Sequence, residues 1–177
     1  MRSGSKRTNR RQTTRPEASS ATVRRRMQGT PRRDTPCELA IRSAVHRMGL
    51  RFRVDWPLPG TRRRADLAFV AARVAVFIDG CFWHACPKHG SWPKANADWW
   101  RAKIEANVRR DRDTDSMLRA GGWRVLRSWE HDDPIAVARR IEKTVRALRP
   151  KDAKATQRWK ANPRSRRRRS PSRAASG

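Results

Sequence analysis

"ADLAFVAARVAVFID", residues 65–79, is the stretch that decides the fold expected for this chain. It holds two apolar runs, residues 65–71 and 74–79, with a connection of only a few residues around Ala72 and Arg73. Two such runs so closely joined predict a β-hairpin. Both runs are nearly continuous rather than alternating, which predicts a sheet that is covered on both faces.

Helices and single strands surround this hairpin. A helix is predicted from Thr35 onward, because Thr35 and Glu38 form a capping box. Residues 97–120, which Asn96 can cap, and residues 134–149 keep apolar side chains at helical spacing. Strands are predicted for RFRVDW before the hairpin and for WRVLRSWEH between the last two helices. The order helix, three strands, helix, strand, helix predicts an α/β fold with a mixed β-sheet flanked by helices.

Charge divides the chain into one domain and two tails. The 177 residues suffice for one domain of ordinary size, and 44 Lys and Arg against 16 Asp and Glu give a net charge of +28. We expect residues 22–150 to form the domain and residues 1–21 and 151–177 to be disordered basic tails, since these lack apolar periodicity. Such charge favours a nucleic-acid partner. A solubilising tether, or a transit peptide at the N-terminus, is the alternative.

The expected location follows from what the sequence lacks. No apolar run reaches the length of about 18 residues that spans a bilayer, and the N-terminus has no secretory signal. Three cysteines cannot pair completely, and two of them lie beside histidines, so a metal site in a reducing compartment fits better than disulfides. We therefore expect a cytoplasmic, nucleoid-associated monomer with no membrane partner.

Two aspartates lie at the ends of the paired apolar runs, Asp66 near the start of the first and Asp79 at the end of the second. In a hairpin these ends are neighbours. The two carboxylates are therefore predicted to lie close together, where each raises the pKa of the other unless a cation neutralises them. Oxygen ligands in this arrangement favour Mg²⁺. The alternative is a pair of surface aspartates in turns.

The next segment, FIDGCFWHACPKHG at residues 77–90, contains candidate ligands for a second metal. Cys81, Cys86 and His89 have the spacing of a tight zinc-binding loop. His131, directly after the last strand, can complete a tetrahedral Cys₂His₂ set if that strand ends beside the hairpin. Against zinc, cysteines can be simply buried and histidines simply exposed.

Other side chains of the same segment are candidates for catalysis and recognition. His84 is spaced poorly for a zinc ligand, and near Asp79 it suits a general acid or base. Packing against Trp83 is the alternative role for this imidazole. Phe82 and Trp83, with Trp100 at the start of the long helix, either fill the core or act as wedges between DNA base pairs.

Three motifs carry a resemblance to a known family: GCFWH after the hairpin, N-V-x-R-D in the long helix and G-W-R-V-L-x-x-W-E in the last strand. In order and spacing they resemble the very short patch repair (Vsr) endonucleases, over about residues 22–131. The resemblance implies a restriction-endonuclease-like fold with a structural Zn²⁺ site and a catalytic Mg²⁺. It also implies nicking of double-stranded DNA 5′ to the thymine of a T:G mismatch, which arises from deaminated 5-methylcytosine, with repair proteins as candidate partners.

The resemblance implies roles for single residues as well. Asp66 matches the principal Mg²⁺ ligand, Ile78 a residue that offers the metal its backbone carbonyl, and His84 the general base or water activator. Asp111 matches an acid that reaches the metal through water, and Glu38 matches an acid near the active site, in addition to its capping role. The positions that match residues inserted beside the mismatch are Phe82, Trp83, Trp100 and Met27.

Two departures from the family pattern stand out. Asp79 replaces a histidine of the best-known members, and an aspartate there could bind Mg²⁺ directly. The zinc loop reads C-x₄-C-x₂-H instead of C-x₄-H-x-C, and His131 replaces a final cysteine, so four ligands are kept. Two rival interpretations remain open: a restriction-like nuclease with another DNA target, and a non-catalytic DNA-binding module stabilised by zinc.

Overall fold

A computed structural model describes residues 33–148 and, outside that range, Arg25. The expected tails at 1–21 and 151–177, and Met27, lie outside the described residues. Within the part of the chain that is described, no helix is both long enough and apolar enough to cross a membrane.

Four strands of the described part of the chain form one sheet in the order β1-β2-β3-β4. They are β1 (Arg53–Pro57), β2 (Arg64–Phe69), β3 (Val74–Asp79) and β4 (Arg124–Trp129). β1 pairs with β2 and β2 with β3 in antiparallel orientation, whereas β3 and β4 are parallel. The predicted mixed sheet is confirmed, and the long helix between β3 and β4 is the crossover that a parallel pair requires.

The predicted hairpin of β2 and β3 is confirmed, with one correction to its turn. β2 ends at Phe69, before the end of the first apolar run, and Val70–Ala72 form a 3₁₀ turn. Arg73 then reverses the chain with a left-handed backbone, φ 51° and ψ 48°. The turn residues are apolar because Ala72 is buried in one core cluster and Val70 packs against the other.

Within residues 33–148 the helices are α1 (Pro36–Arg47), α2 (Ala97–Ala120) and α3 (Pro134–Leu148). The capping box of α1 is confirmed, since Thr35 Oγ1 accepts a hydrogen bond from Glu38 N at 3.4 Å. The Glu38 side chain departs from the standard motif, because its Oε2 accepts from the N–H of Asp34, one residue before the cap, at 3.1 Å. Asn96 holds the N-cap position of α2 with a left-handed backbone, φ 55°, a conformation that asparagine tolerates better than most residues.

Helices cover both faces of the sheet, as the continuous apolar runs predicted. On one face, α1 and α3 pack around Leu67, Val74 and Val76. On the other face, Leu118 of α2 packs in a cluster with Phe77 and its neighbours in the sheet. Successive side chains of a strand point to opposite faces, so a strand buried on both sides has few polar positions.

The parallel pair β3 and β4 determines where the functional residues lie. Asp79 pairs with Trp129 at the ends of the two strands. Glu130 N continues the ladder by donating a hydrogen bond to Asp79 O at 3.0 Å. Since parallel strands end at the same edge of a sheet, the loops that follow them start side by side, and residues from two distant parts of the sequence meet there.

Candidate active site

A cleft opens at this edge between the sheet and α2. The cleft is lined by Asp79, His84, Val108, Asp111, Arg112, Asp115, Arg127, Ser128 and Trp129. The α2 residues among them recur three and four positions apart, so they share one face of the helix. That face carries Asp111 and Asp115 to the end of β3 and to the middle of β4.

His84 and Asp111 form a hydrogen-bonded pair in the cleft. His84 Nδ1 lies 2.6 Å from Asp111 Oδ2 and 3.7 Å from Asp79 Oδ1. Burial opposes charge on the imidazole, but the hydrogen bond with Asp111 and the charge of Asp79 outweigh it and raise the pKa of His84. Because Nδ1 is held by Asp111, Nε2 is the ring nitrogen left to exchange a proton with water or a substrate.

Asp79 is buried, with 7% of its surface exposed, and it contacts an arginine. Arg127 Nη1 donates a hydrogen bond to Asp79 Oδ1 at 2.6 Å. Burial raises the pKa of Asp79, and the neighbouring guanidinium offsets only part of that effect. The predicted proximity of Asp79 and His84 is thus confirmed, whereas the pairing of Asp79 with Arg127 was not expected from the sequence.

Asp66 lies on β2 with one oxygen bound to the neighbouring strand. Its Oδ2 accepts a hydrogen bond from Ile78 N at 2.7 Å. Burial, with smaller contributions from the charges of Glu38 and Asp79, raises the pKa of Asp66 to about 6 despite that hydrogen bond. A carboxylate with these surroundings carries negative charge that a bound divalent cation would neutralise.

Glu38 is the acidic residue of α1 for which the sequence predicts both a capping role and a position near the active site. It is a buried residue of α1 and caps that helix. Arg42 Nη2 donates a hydrogen bond to its Oε2 at 2.6 Å. The charge of Glu38 also contributes to the raised pKa of Asp66, so the capping glutamate lies within electrostatic range of the active-site edge.

The predicted acidic residues do not all gather at one point. Among the described residues, Asp79, His84 and Asp111 form a cluster whose candidate ligand atoms all lie within 4.8 Å of one another. Asp66 is not a member of this cluster, although the charge of Asp79 reaches it. The sheet therefore brings Asp66 and Asp79 into electrostatic contact, and direct sharing of one cation remains a prediction.

The four predicted zinc ligands do come together. The ligand atoms of Cys81, Cys86, His89 and His131 all lie within 4.8 Å of one another. His131 Nδ1 is 3.0 Å from Cys81 Sγ and 3.9 Å from Cys86 Sγ. In a tetrahedral zinc site, sulfur and nitrogen ligands are about 3.6 Å apart, given Zn–S of about 2.3 Å and Zn–N of about 2.1 Å. The donor set and its spacing fit zinc.

The backbone of this loop is shaped around Cys86. Burial alone would raise the pKa of the Cys86 thiol, but backbone N–H groups of His89, Lys88 and Gly90 and the Cys81 side chain lower it. Burial and the proximity of Cys86 raise the pKa of Cys81 to about 12. Gly90 is required here, because a Cβ at that position would lie 2.4 Å from Cys86 O. The Cys86 thiol is therefore the easier of the two to ionise, and zinc would favour the thiolate form of both, because zinc binds cysteine as the thiolate.

The predicted wedge residues form one aromatic cluster. Phe82 lies 5.0 Å from Trp83 and 5.3 Å from Trp100, measured between ring centroids. Trp99 adds a fourth ring, 4.8 Å from Trp100. Asn107 Nδ2 donates a hydrogen bond to Trp83 O at 3.0 Å and so ties the loop to α2. All four residues are half-buried, so each keeps part of its surface accessible to solvent.

Three side chains of the site were not singled out from the sequence: Asp115, Arg127 and Glu130. Arg127 is one of two arginines in β4, the other being Arg124, so the strand pattern alone does not distinguish it. Glu130 Oε1 accepts a hydrogen bond from Cys81 N at 2.7 Å and fixes the start of the loop. Its position directly before the candidate ligand His131 was the only hint of that role.

An α/β domain with carboxylates and an aspartate-bound histidine at one sheet edge, beside half-buried aromatic residues in a strongly basic chain, is the arrangement expected of a DNA nuclease. Comparison with known proteins agrees. The profile of the family described as "DNA mismatch endonuclease Vsr" matches residues 16–89. The chain belongs to this family of DNA mismatch endonucleases, and DNA is its substrate.

Individual relatives establish that membership. The type II nicking enzyme V.NaeI of Lentzea aerocolonigenes is 47% identical over 112 residues, 62% of this chain and 68% of the relative. The type II nicking enzyme V.NmeDIP of Neisseria meningitidis serogroup C is 36% identical over 127 residues, 71% of this chain and 84% of the relative. The DNA mismatch endonuclease Vsr of Escherichia coli strain K12 is 39% identical over 115 residues, 62% of this chain and 70% of the relative.

Proposed function

We propose that this protein is a Mg²⁺-dependent endonuclease that nicks double-stranded DNA 5′ to the thymine of a T:G mismatch. In this role it would initiate very short patch repair of deaminated 5-methylcytosine. The observation that carries the proposal is the His84–Asp111 pair, joined at 2.6 Å, in a cleft that Asp79 also lines. The mismatch endonuclease named among the relatives supports the choice of substrate.

The reaction is hydrolysis of a phosphodiester, in which water attacks phosphorus and the bond to the 3′ oxygen breaks. Asp111 accepts the hydrogen on Nδ1 of His84, so Nε2 is available to take a proton from the attacking water. The same carboxylate then stabilises the imidazolium that forms, in keeping with the raised pKa of His84. His84 is therefore assigned the general base and Asp111 its partner.

Asp66, Asp79 and the backbone carbonyl of Ile78 would hold Mg²⁺, which when bound polarises the scissile phosphate and stabilises charge on the departing 3′ oxygen. The donor chemistry supports this assignment, since burial and nearby carboxylates raise the pKa of Asp66 to about 6. Oδ1 of Asp79 accepts from Arg127, so we assign its Oδ2 to the metal.

Recognition of the mismatch is assigned to the aromatic cluster. Phe82 and Trp83 come from the loop that Zn²⁺ on Cys81, Cys86, His89 and His131 would hold in place. Trp100 reaches the same cluster from α2. Wedging rings between base pairs costs a few kcal/mol per step, and a mispaired step costs less to open. The difference between the two costs would favour T:G over matched pairs.

A cleavage panel tests the proposal. Zinc-loaded protein is incubated in Mg²⁺ with end-labelled duplexes that differ only in one central T:G, A:T or G:C pair. We expect a single nick 5′ to the mismatched thymine and none in the matched duplexes. Asp66→Ala should abolish nicking, whereas the control Asp113→Ala, which removes a side chain that is 67% exposed, should nick like the wild type.

The same panel separates the two rivals. Equal cleavage of all three duplexes would replace the proposal by a nuclease with another DNA target, an outcome that the nicking-enzyme relatives make worth testing. Tight binding of T:G duplex with no nick in Mg²⁺ would replace it by a non-catalytic DNA-binding module. Nicking by Asp66→Ala would reject the assigned metal site.

A further inference from the structure

Arg127 is the side chain that connects the acidic residues of the cleft. It lies in the middle of β4, opposite Phe77 of β3, and its guanidinium carbon is 4.7 Å from the centroid of the Phe77 ring. Its Nη1 donates to Asp79 at 2.6 Å and its Nε to Asp115 at 3.0 Å. Its Nη2 lies 3.3 Å from Asp111 Oδ1. One guanidinium thus binds three carboxylates, one from β3 and two from α2.

The consequence for Asp111 is that both of its oxygens are held. Oδ1 faces Arg127 at 3.3 Å, and Oδ2 is hydrogen-bonded to His84 Nδ1 at 2.6 Å. A carboxylate held at both oxygens cannot rotate, so the imidazole bound to it is held in one orientation. The planar fork of arginine is suited to this, because it binds two carboxylates in fixed directions.

Removing the guanidinium would also leave like charges unopposed. Asp79, Asp111 and Asp115 all face the same point, and Arg127 is the cation that binds all three among the described residues. Without it, repulsion would move the carboxylates apart or protonate one of them. Either response would disturb the His84–Asp111 pair, although no atom of Arg127 contacts His84 through a hydrogen bond among those described.

We propose that Arg127 is a positioning residue of the nuclease reaction: its guanidinium fixes the carboxylate of Asp111, which in turn presents Nε2 of His84 to the scissile phosphate. This inference rests on the proposed function. It assigns Arg127 no contact with the DNA, since Nε, Nη1 and Nη2 are each engaged by a carboxylate.

The first test compares Arg127→Met with a matched control. Arg119→Met removes an arginine that is 61% exposed and binds Asp115 but neither Asp79 nor Asp111. With enzyme in excess over T:G duplex, we expect Arg127→Met to lower the single-turnover nicking rate about 100-fold, the usual effect of a misplaced catalytic group. Duplex affinity, measured by anisotropy with Ca²⁺ in place of Mg²⁺, should change less than about threefold. Arg119→Met should match the wild type in both measurements.

A double-mutant cycle with Asp111→Asn distinguishes positioning from other roles. If Arg127 acts through Asp111, adding Arg127→Met to the Asp111→Asn protein should lower its nicking rate by less than about threefold. The reason is that Asp111→Asn has already removed the carboxylate through which Arg127 would act. A second loss of about 100-fold in the Asp111→Asn background would overturn the proposal and indicate direct contact with the phosphate. If circular dichroism shows that Arg127→Met is unfolded, Arg127→Lys takes its place. Lysine keeps the charge without the fork, and a wild-type rate for it would equally overturn the proposal.

A spectroscopic measurement keeps this inference separate from the proposed function. In ¹⁵N-labelled zinc-loaded protein without Mg²⁺ or DNA, His84 should show a protonated, hydrogen-bonded Nδ1 whose proton exchanges slowly. Arg127→Met should lose that signal, and Arg119→Met should keep it. A wild type that nicks no duplex but shows this pattern would reject the proposed function alone. Retention of the signal in Arg127→Met would reject the positioning role alone.

Discussion

Replacing Asp66 by asparagine is expected to stabilise the Mg²⁺-free protein while it abolishes nicking. Burial holds the pKa of Asp66 at about 6, above its ordinary value of 3.8. The folded protein therefore binds this proton more tightly than the unfolded chain does, and an ionised Asp66 lowers the free energy of unfolding. Asparagine carries no charge, and its side-chain oxygen can still accept the hydrogen bond from Ile78 N that now measures 2.7 Å.

The size of the gain follows from the same pKa. Raising a carboxyl pKa by about two pH units corresponds to about 3 kcal/mol, at about 1.4 kcal/mol per unit. Part of the Asp66 side chain is open to water, so we expect a gain of about 2 kcal/mol. The stability that Asp66→Asn gains over the wild type is greatest above pH 6, where Asp66 of the folded wild type is ionised. This difference decreases as the pH is lowered from 6 to 4, because Asp66 then becomes protonated in both the folded and the unfolded wild type.

Urea unfolding of zinc-loaded protein, followed by tryptophan fluorescence, measures the gain. At pH 8 without Mg²⁺, Asp66→Asn should unfold at a higher urea concentration than the wild type, and at pH 4 the two should coincide. Adding Mg²⁺ should stabilise the wild type and leave the variant unchanged, because ligand binding stabilises only the state that binds it. The control Asp113→Asn should follow the wild type throughout. An Asp66→Asn protein no more stable than the wild type at pH 8 would refute this reasoning.

Three further predictions concern the core, the zinc group and the general base. Ile141→Ala, at a fully buried core position, should lower the free energy of unfolding by about 2 to 5 kcal/mol in urea titration. A decrease in the free energy of unfolding of less than about 1 kcal/mol would contradict the packing described for α3. His131→Ala should reduce bound zinc, measured by atomic emission, from one equivalent per chain to well below one; a full retained equivalent would exclude the four-ligand site. The nicking rate should rise with pH as His84 loses its proton, with a pKa above the ordinary 6.5. Asp111→Asn should move this rise to lower pH, because it removes the carboxylate that favours the imidazolium. An Asp111→Asn rate that rises at the same pH as the wild type would contradict the His84–Asp111 pair.

Much of the fold could be predicted because its signals are local. The two apolar runs around Arg73 specify a hairpin by their length and spacing, and the capping box at Thr35 marks a helix start by its own hydrogen bonds. The turn was misjudged at Val70 and Ala71, which the apolar run assigned to the strand, because apolar character alone does not distinguish a strand end from a 3₁₀ turn. The zinc group could be predicted because three ligands share one short loop and His131 directly follows a strand.

The environment of Asp79 could not be predicted, because it depends on three elements at once. The sequence shows an arginine at position 127 but not the sheet face to which it points. That face follows from the parallel register of β3 and β4, in which Phe77 is opposite Arg127. Which carboxylates lie near Arg127 on that face depends further on how α2 crosses the sheet. That crossing brings Asp111 and Asp115 of α2 into contact with Arg127.

His131 follows β4, whereas the other three candidate zinc ligands follow β3. The complete set of four ligands therefore exists only where β4 lies beside β3 in the sheet. A metal with all four ligands therefore marks a completed sheet, and the segment it then closes, from Cys81 to His131, includes the whole of α2. Such a metal would join the ends of two strands whose ligands are 50 positions apart in the sequence.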